Sequence, residues 1–294
     1  MEPGGNLSFV VDFVVFEDRP QLRDPVVVTA FRGWNDAGES ATAGASFLKE
    51  QWPGQLFARV DPEEFFDFQV NRPTVRLADG VSRLIEWPAC EFHHVRAEGK
   101  DIVLFIGAEP NVKWRAFATS IVEVARNLGA VRLVTMGAFL ADVPHTRPVP
   151  VVGSAATPEE AERLGLQTSR YEGPTGIVGV LHDISNRSGL PSVSFWAAVP
   201  HYVPAGVNPK AAVALVERVT TFLGVGVDTS ELHPAISAWE QRVSELVSEN
   251  EALQDYVRRL EEAGTEDIAL GNIPSGDALA AEVERFLRDQ GRER

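Results

Sequence analysis

Two loops in this 294-residue sequence hold a histidine between prolines: "PHTRP", with His145 and Arg147, and "PHYVP", with His201 and Tyr202. Proline fixes φ and stiffens such loops. An imidazole held in place beside a guanidinium is equipment for general acid/base work or for contact with an oxyanion. The same spacing suits a hydrogen-bonded structural histidine or an interface loop, and that role is the expectation for both. A third loop, "GAEPNVKW", offers the carboxylate of Glu109. A fourth, "YEGPTG", sets Gly173 and Gly176 around Thr175 just ahead of Ile177, Val180, Leu181 and Ile184 at helical spacing. Backbone N–H groups at such a helix start bind anions, with Thr175 available as a cap. Glu172 opposes an anion there, and a Gly-Pro turn that only starts a helix is the competing reading.

The stretch "FRGWNDAGESATAGASFLKE" carries Arg32, Asn35 and Asp36 into a helix of very small residues. Asp36 followed by Glu39 resembles a capping box, and two carboxylates at the positive end of a helix repel phosphate. Arg32, Asn35 and Asp36 remain candidates for holding some other ligand. The run Gly38, Ser40, Ala41, Ala43, Gly44, Ala45 and Ser46 predicts a helix backbone that lies very close to a neighbouring element.

Other chemistry lacks its motif. The sequence contains no G-x-x-x-x-G-K-[ST], no G-x-G-x-x-G and no G-x-S-x-G, so nucleotide, dinucleotide and hydrolase-elbow readings have no local support. His93 and His94 are adjacent on a strand pattern and face opposite ways, poor geometry for one metal. His182 and Asp183 sit on a helix with no second histidine at ligand spacing. No metal and no cofactor are expected. A net charge of −15 argues against nucleic acid, because backbone binding needs clustered Lys and Arg. The one cysteine, Cys90, permits no intrachain disulfide. The N-terminal apolar run is short and broken by Asp12, and nowhere do 18 apolar residues run together. A cytoplasmic protein without a membrane span is expected.

These loops need elements to hold them. Strand patterns at Val10 to Phe16, Val26 to Phe31, Ile102 to Gly107, Val131 to Ala138 and Ser192 to Ala197 alternate with helical ones, the order of an α/β domain with a largely parallel sheet. Helices are predicted over about 112–128, from Pro158 after the cap Thr157, and from Pro209 between the cap Asn208 and the exit Gly224. In such a sheet, loops at the carboxyl ends of the strands gather along one edge. That would bring Arg32, Asn35, Asp36, Glu109, Asp142, His145, Arg147, Thr175 and His201 toward one crevice. Residues 55–99 read as short β segments, a β-rich excursion at one edge of the sheet that would suit an oligomer contact. The core domain is placed at 1–228.

From 229 to the C-terminus the pattern is helical and acidic, with 15 acids against 7 Lys and Arg from Glu231 onward. On a heptad, Ile236, Val243, Asn250 and Val257 take one seam position and Trp239, Leu246, Leu253 and Leu260 the other. Asparagine at a seam fixes register and partner number. The seam would be closed either by the helix carrying Leu279, Val283, Phe286 and Leu287 in a coiled-coil-like hairpin, which is the expectation, or by another chain. Trp239, Asn250 and Leu253 are the interaction candidates.

In order, "GWNDAG", "GAEPNVKW", "ADVPHTRP", "YEGPTGI", "VPHYV" and the helical extension resemble the proteasome assembly chaperone family, in the branch of its second eukaryotic subunit and the archaeal and actinobacterial relatives. The resemblance spans about residues 9–290. It implies a three-layer α/β/α core similar to nucleoside phosphorylases and hydrolases, a homo-oligomeric habit, and binding to proteasome α subunits without chemistry. Many such chaperones dock through a hydrophobic-Tyr-any tail. Gly291, Arg292, Glu293 and Arg294 depart from that form, which tells against tail docking and against a direct transfer of the chaperone role. The alternative is a phosphorylase- or hydrolase-type enzyme using His145, Arg147, Glu109 and the 173–176 turn.

Overall fold

The computed structural model describes residues 10–78, 80–168, 172–203 and 206–263. In chain order the elements are β1 (Val14–Phe16), β2 (Val26–Arg32), α1 (Ser40–Gln51), β3 (Gly54–Val60), β4 (Thr74–Ala78), β5 (Ser82–Glu86), β6 (Glu91–Ala97), β7 (Lys100–Ala108) and α2 (Trp114–Asn127). Then come β8 (Arg132–Ala141), β9 (Val151–Ala155), α3 (Pro158–Leu164), β10 (Gln167–Thr168), α4 (Ile177–Arg187), β11 (Ser192–Pro200), α5 (Pro209–Leu223), α6 (His233–Ser248) and α7 (Glu251–Ala263).

Nine of these strands form one sheet in the order β1-β3-β6-β7-β2-β8-β11-β9-β10. Its centre, β7-β2-β8-β11, is parallel, as the alternation of strand and helix signals indicates. The flanks are different: β6, β3 and β1 add antiparallel on one side and β9 on the other, so the whole sheet is mixed. The reason is connection length. Only two residues join β6 to β7, Glu98 and Gly99, both at positive φ, and a two-residue turn of that kind allows only antiparallel pairing. The strand expected from Val10 begins only at Val14, because Phe13 turns the chain at φ 64°.

The central strands are buried on both faces and sort side chains by parity. Val27 and Phe31 join Phe105, Phe117, Ile121 and Leu181 on the face covered by α2 and α4. Val28 and Ala30 join Leu48, Leu104, Leu215 and Val219 on the face covered by α1 and α5. This is the three-layer α/β/α core. The small residues of α1 let its backbone approach α5 and β8: a Cβ on Gly44 would stand 3.2 Å from the Ala212 carbonyl oxygen and 3.1 Å from Met136 Cε. Helix starts and stops follow the sequence signals, with Thr157 and Asn208 accepting N–H bonds as caps and Gly165 and Gly224 left-handed at the exits.

The excursion at 55–99 splits in two. β3 and β6 extend the sheet, whereas β4 and β5 form a separate hairpin.

The heptad reading of the extension is corrected by Asn250. α6 ends before it and α7 begins after it; the Asn250 side-chain oxygen accepts the Leu253 N–H at 3.2 Å, and its carbonyl accepts that of Gln254. Asparagine is among the best N-cap residues. A cap forms locally, whereas a seam position needs a second helix in register. α7 folds back on α6, with Val257 packed against Trp239, Val243 and Val247. The pairing helix expected around Leu279, Val283, Phe286 and Leu287 lies outside the described residues. Among the described residues no helix is long and apolar enough to cross a membrane.

Candidate functional site

The loops at the carboxyl ends of the central strands do bond to one another, but in two groups instead of one crevice. The first group is built on Glu109, just beyond β7. Its backbone N–H donates to the Arg32 carbonyl at 2.8 Å, which keeps the loops after β7 and β2 abreast. Its Oε1 accepts from Asn35 Nδ2 at 3.0 Å and from the Ile177 N–H at 2.7 Å, and its Oε2 accepts from the Trp34 N–H at 3.3 Å. Asn35 is 2% exposed. Room for it depends on Gly176, where an added Cβ would stand 2.3 Å from Asn35 Nδ2.

This arrangement corrects the anion reading of the 173–176 turn. The N-terminus of α4 already receives a carboxylate, that of Glu109, in the position where helix dipole and free N–H groups favour negative charge. Gly176 is the cap residue, with no side-chain cap bond, and the Thr175 hydroxyl donates to the Gly176 carbonyl at 3.4 Å instead of capping. Gly173 and Thr175 are exposed. Sixty-eight residues separate Glu109 from Ile177, so no local pattern announces the bond.

Asp36 turns inward to its own helix. Its carboxylate accepts from the Ala41 N–H at 2.7 Å, from the Thr42 N–H at 3.3 Å and from the Thr42 hydroxyl. Burial pushes its carboxyl up from the usual range, against the pull of those bonds. Glu39 does not complete the box: it is exposed, left-handed at φ 45°, and makes no cap bond. Arg32 is exposed at the end of β2.

The second group joins the loops after β8 and β11 to the helical extension. His145 is 3% exposed. Its N–H donates to the Tyr202 hydroxyl at 2.7 Å, its Nδ1 lies 2.9 Å from the same hydroxyl, and its Nε2 lies 3.1 Å from Ser244 Oγ on α6. Burial, then the nearby Lys210 ammonium, holds the imidazole pKa down, and burial pushes the Tyr202 phenol up to about 12. Both groups are therefore neutral near pH 7. One proton arrangement satisfies them all: Tyr202 donates to Nδ1, and Nε2–H donates to Ser244. His201 Nδ1 lies 3.2 Å from Asp142 Oδ1, and the Tyr256 hydroxyl on α7 donates to the same oxygen at 2.8 Å. The rings of His201, Tyr202 and Tyr256 meet edge to face. Trp239, 5% exposed, and Leu253 pack with Tyr202 and Val203.

Both ring nitrogens of His145 are thus occupied, Nδ1 by Tyr202 on the neighbouring loop and Nε2 by Ser244 on the extension. Among the described residues no carboxylate accepts from Nδ1, the arrangement that raises the basicity of a catalytic histidine. Arg147 is exposed on the rim of a solvent-open cleft lined also by Val143, Lys210 and Trp239. The space inside it is about 10 Å³, room for about one water molecule and far below the roughly 300–1,000 Å³ usual for small-molecule pockets. On β6, His93 bonds to Glu91 and His94 to Asp101.

One polar network escapes sequence reasoning. His182 on α4 places Nδ1 2.7 Å from Ser192 Oγ and Nε2 3.0 Å from Thr135 Oγ1, between helix and sheet. Ser244 and Tyr256 are likewise missed, although each falls one residue from a named seam position.

A family model described as the PAC2 family matches residues 30–247. A crystal structure of a PAC2 family protein from Streptomyces avermitilis is 45% identical, with a TM-score of 0.74, covering 80% of this chain and 100% of that one. A Mycobacterium tuberculosis proteasome-assembly chaperone homologue is 46% identical, with a TM-score of 0.72, covering 79% of this chain and 99% of that one. An archaeal proteasome activator from Pyrococcus furiosus shares the fold at 18% identity and a TM-score of 0.65, covering 79% of this chain and 97% of that one. No curated protein matches the chain.

Proposed function

This chain belongs to the PAC2 family, and on that premise we propose that it is a protein-binding, proteasome assembly chaperone-like protein of the cytoplasm. It acts as a homo-oligomer and engages proteasome α subunits. The observation that supports this most is the 46% identity over 79% of the chain to a protein described as a proteasome-assembly chaperone homologue. The geometry of the carboxyl edge agrees with a binding role: its helix N-terminus is filled by Glu109, and its best-placed histidine is spent on fastening α6. The docking surface is then made of the exposed parts of those loops, Trp34, Val112 and Val207 among them.

The test is native mass spectrometry of the purified protein mixed with the proteasome α subunit of the same organism. A defined mixed complex supports the proposal; only the separate components, at concentrations where the chain is folded, overturn it. The alternative, an enzyme of phosphorylase or hydrolase type, requires a ligand in the cleft beside Arg147 and Lys210. Thermal shift with phosphate, nucleosides and nucleotides reads that directly, because a ligand at 100 times its Kd stabilises by about 2.7 kcal/mol.

A further inference from the structure

The β4–β5 hairpin stands apart from the main sheet, and every residue of β5 and four of the five in β4 are exposed. Its strands alternate, with Arg83 and Leu84 the exceptions. Val75 pairs with Ile85 and Leu77 with Arg83 on one face, while Thr74, Arg76, Leu84 and Glu86 lie on the other. Leu84, 47% exposed, aside, the second face is suited to water, with an Arg76–Glu86 ion pair at 2.6 Å. The first is not: Val75, Leu77 and Ile85 are 60%, 57% and 58% exposed, and Val81 near the turn is 83% exposed. Half-buried strands carry this pattern with the apolar side on a core, and here that side has no core beneath it. The root is fixed, through the Phe68–Trp87 ring contact at 4.8 Å and the Asn71 side chain donating to Asn111 Oδ1 at 2.8 Å. A two-stranded hairpin alone is marginal in water, so a fixed arm with one dry face is built to be covered.

Charge narrows what covers it. Residues 70–87 hold Arg72, Arg76 and Arg83 against Asp79 and Glu86, a net +1, whereas the rest of the core domain, residues 1–69 and 88–228, carries −8. The apolar face itself carries a cation, Arg83, and no acid. Its cover is therefore an acidic surface with apolar side chains, and the body of this same chain carries net negative charge with Val10 and Val15 exposed, just before and within the edge strand β1. A permanently exposed arm also needs a partner present wherever the chain is, and homo-oligomers with reciprocal contacts are the usual solution. We infer that the β4–β5 hairpin is the arm by which one copy of this chain clasps the body of a second, burying Val75, Leu77 and Ile85 and pairing Arg83 with a carboxylate there. The inference rests on the homo-oligomeric reading proposed above and names the element responsible.

The experiment is sedimentation velocity on the full chain and on the variants Leu77→Arg and Ile85→Arg, with far-ultraviolet circular dichroism as the fold check. Both positions are solvent-exposed in the single chain, so the variants keep the fold. In parallel, a photo-crosslinking residue at Val81 in otherwise wild-type protein reads the neighbour directly. The expected result is an oligomeric wild type, variants at the mass of a single chain with unchanged helicity, and Val81 crosslinks joining two copies. A wild type that is itself monomeric at tens of micromolar overturns both the oligomer and the arm. An oligomeric wild type whose mass survives both substitutions, or whose Val81 crosslinks stay within one chain, overturns the arm alone.

Discussion

Glu109 Oε1 accepts hydrogen bonds from Asn35 Nδ2 and from the Ile177 backbone N–H at 3.0 and 2.7 Å. One carboxylate oxygen thus ties the loop after β2 to the start of α4, from a third loop that belongs to neither. Replacing it with Glu109→Ala removes three acceptor contacts and a charge at a helix N-terminus. Hydrogen bonds to charged groups are each worth roughly 1.5–3 kcal/mol, so a loss of about 2–3 kcal/mol is expected after partial replacement by water. Glu109→Gln, which keeps an acceptor and loses the charge, should cost about 1 kcal/mol. Urea denaturation measures both, and equal costs would show that the charge contributes nothing.

Gly176→Ala tests the same joint by sterics alone. Gly176 has φ −91°, which alanine adopts freely, so its cost comes from the 2.3 Å approach to Asn35 Nδ2. Overpacking of this kind costs about 1–3 kcal/mol. In an Asn35→Ala background that cost should fall by more than half. A double-mutant cycle with no coupling would place the strain elsewhere.

The cap and seam readings of Asn250 predict opposite signs. Asn250→Leu would strengthen a coiled-coil seam, raising stability and changing the subunit number. As the cap of α7, the same substitution should lower stability by about 1 kcal/mol and leave the mass unchanged. Thermal unfolding and sedimentation together decide it.

His182 gives the fold an acid limit. Burial holds its imidazole at about 4, below the ordinary 6.5. The unfolded chain therefore binds that proton more readily than the native one. Stability is fully present above pH 6.5 and declines as pH falls toward about 4. A shift of that size corresponds to at most about 3 kcal/mol. His182→Asn should be less stable at pH 7 and should show a flatter loss between pH 6.5 and 4 than wild type. A parallel loss in both would assign the acid sensitivity to other groups.

What the sequence made legible was whatever is local. Thr157 and Asn208 as caps, Gly165 and Gly224 as exits, and the Val-rich central strands are read from neighbours a few residues apart. The α1 glycine at 44 was legible as a close approach, though not which helix it meets. The candidate site was half legible: Glu109, Asn35, Gly176, His145 and His201 all lie at the strand ends as expected. Their partners are not local, since Glu109 reaches Ile177 across 68 residues and His145 reaches Ser244 across 99. Asn250 misled for another reason. A cap and a seam residue share one amino acid, and the apolar residues after a cap keep the same phase as a heptad.

The fastening of α6 and α7 also has an order in time. His145 to Ser244, Asp142 to Tyr256 and Thr146 to Glu261 close loops of 99, 114 and 115 residues. Each such closure costs chain entropy until the segments between are already compact. β8, β11 and the helices that cover them must therefore be in place before the extension can find its seat. On a ribosome, the last described turns of the chain have a finished surface waiting for them.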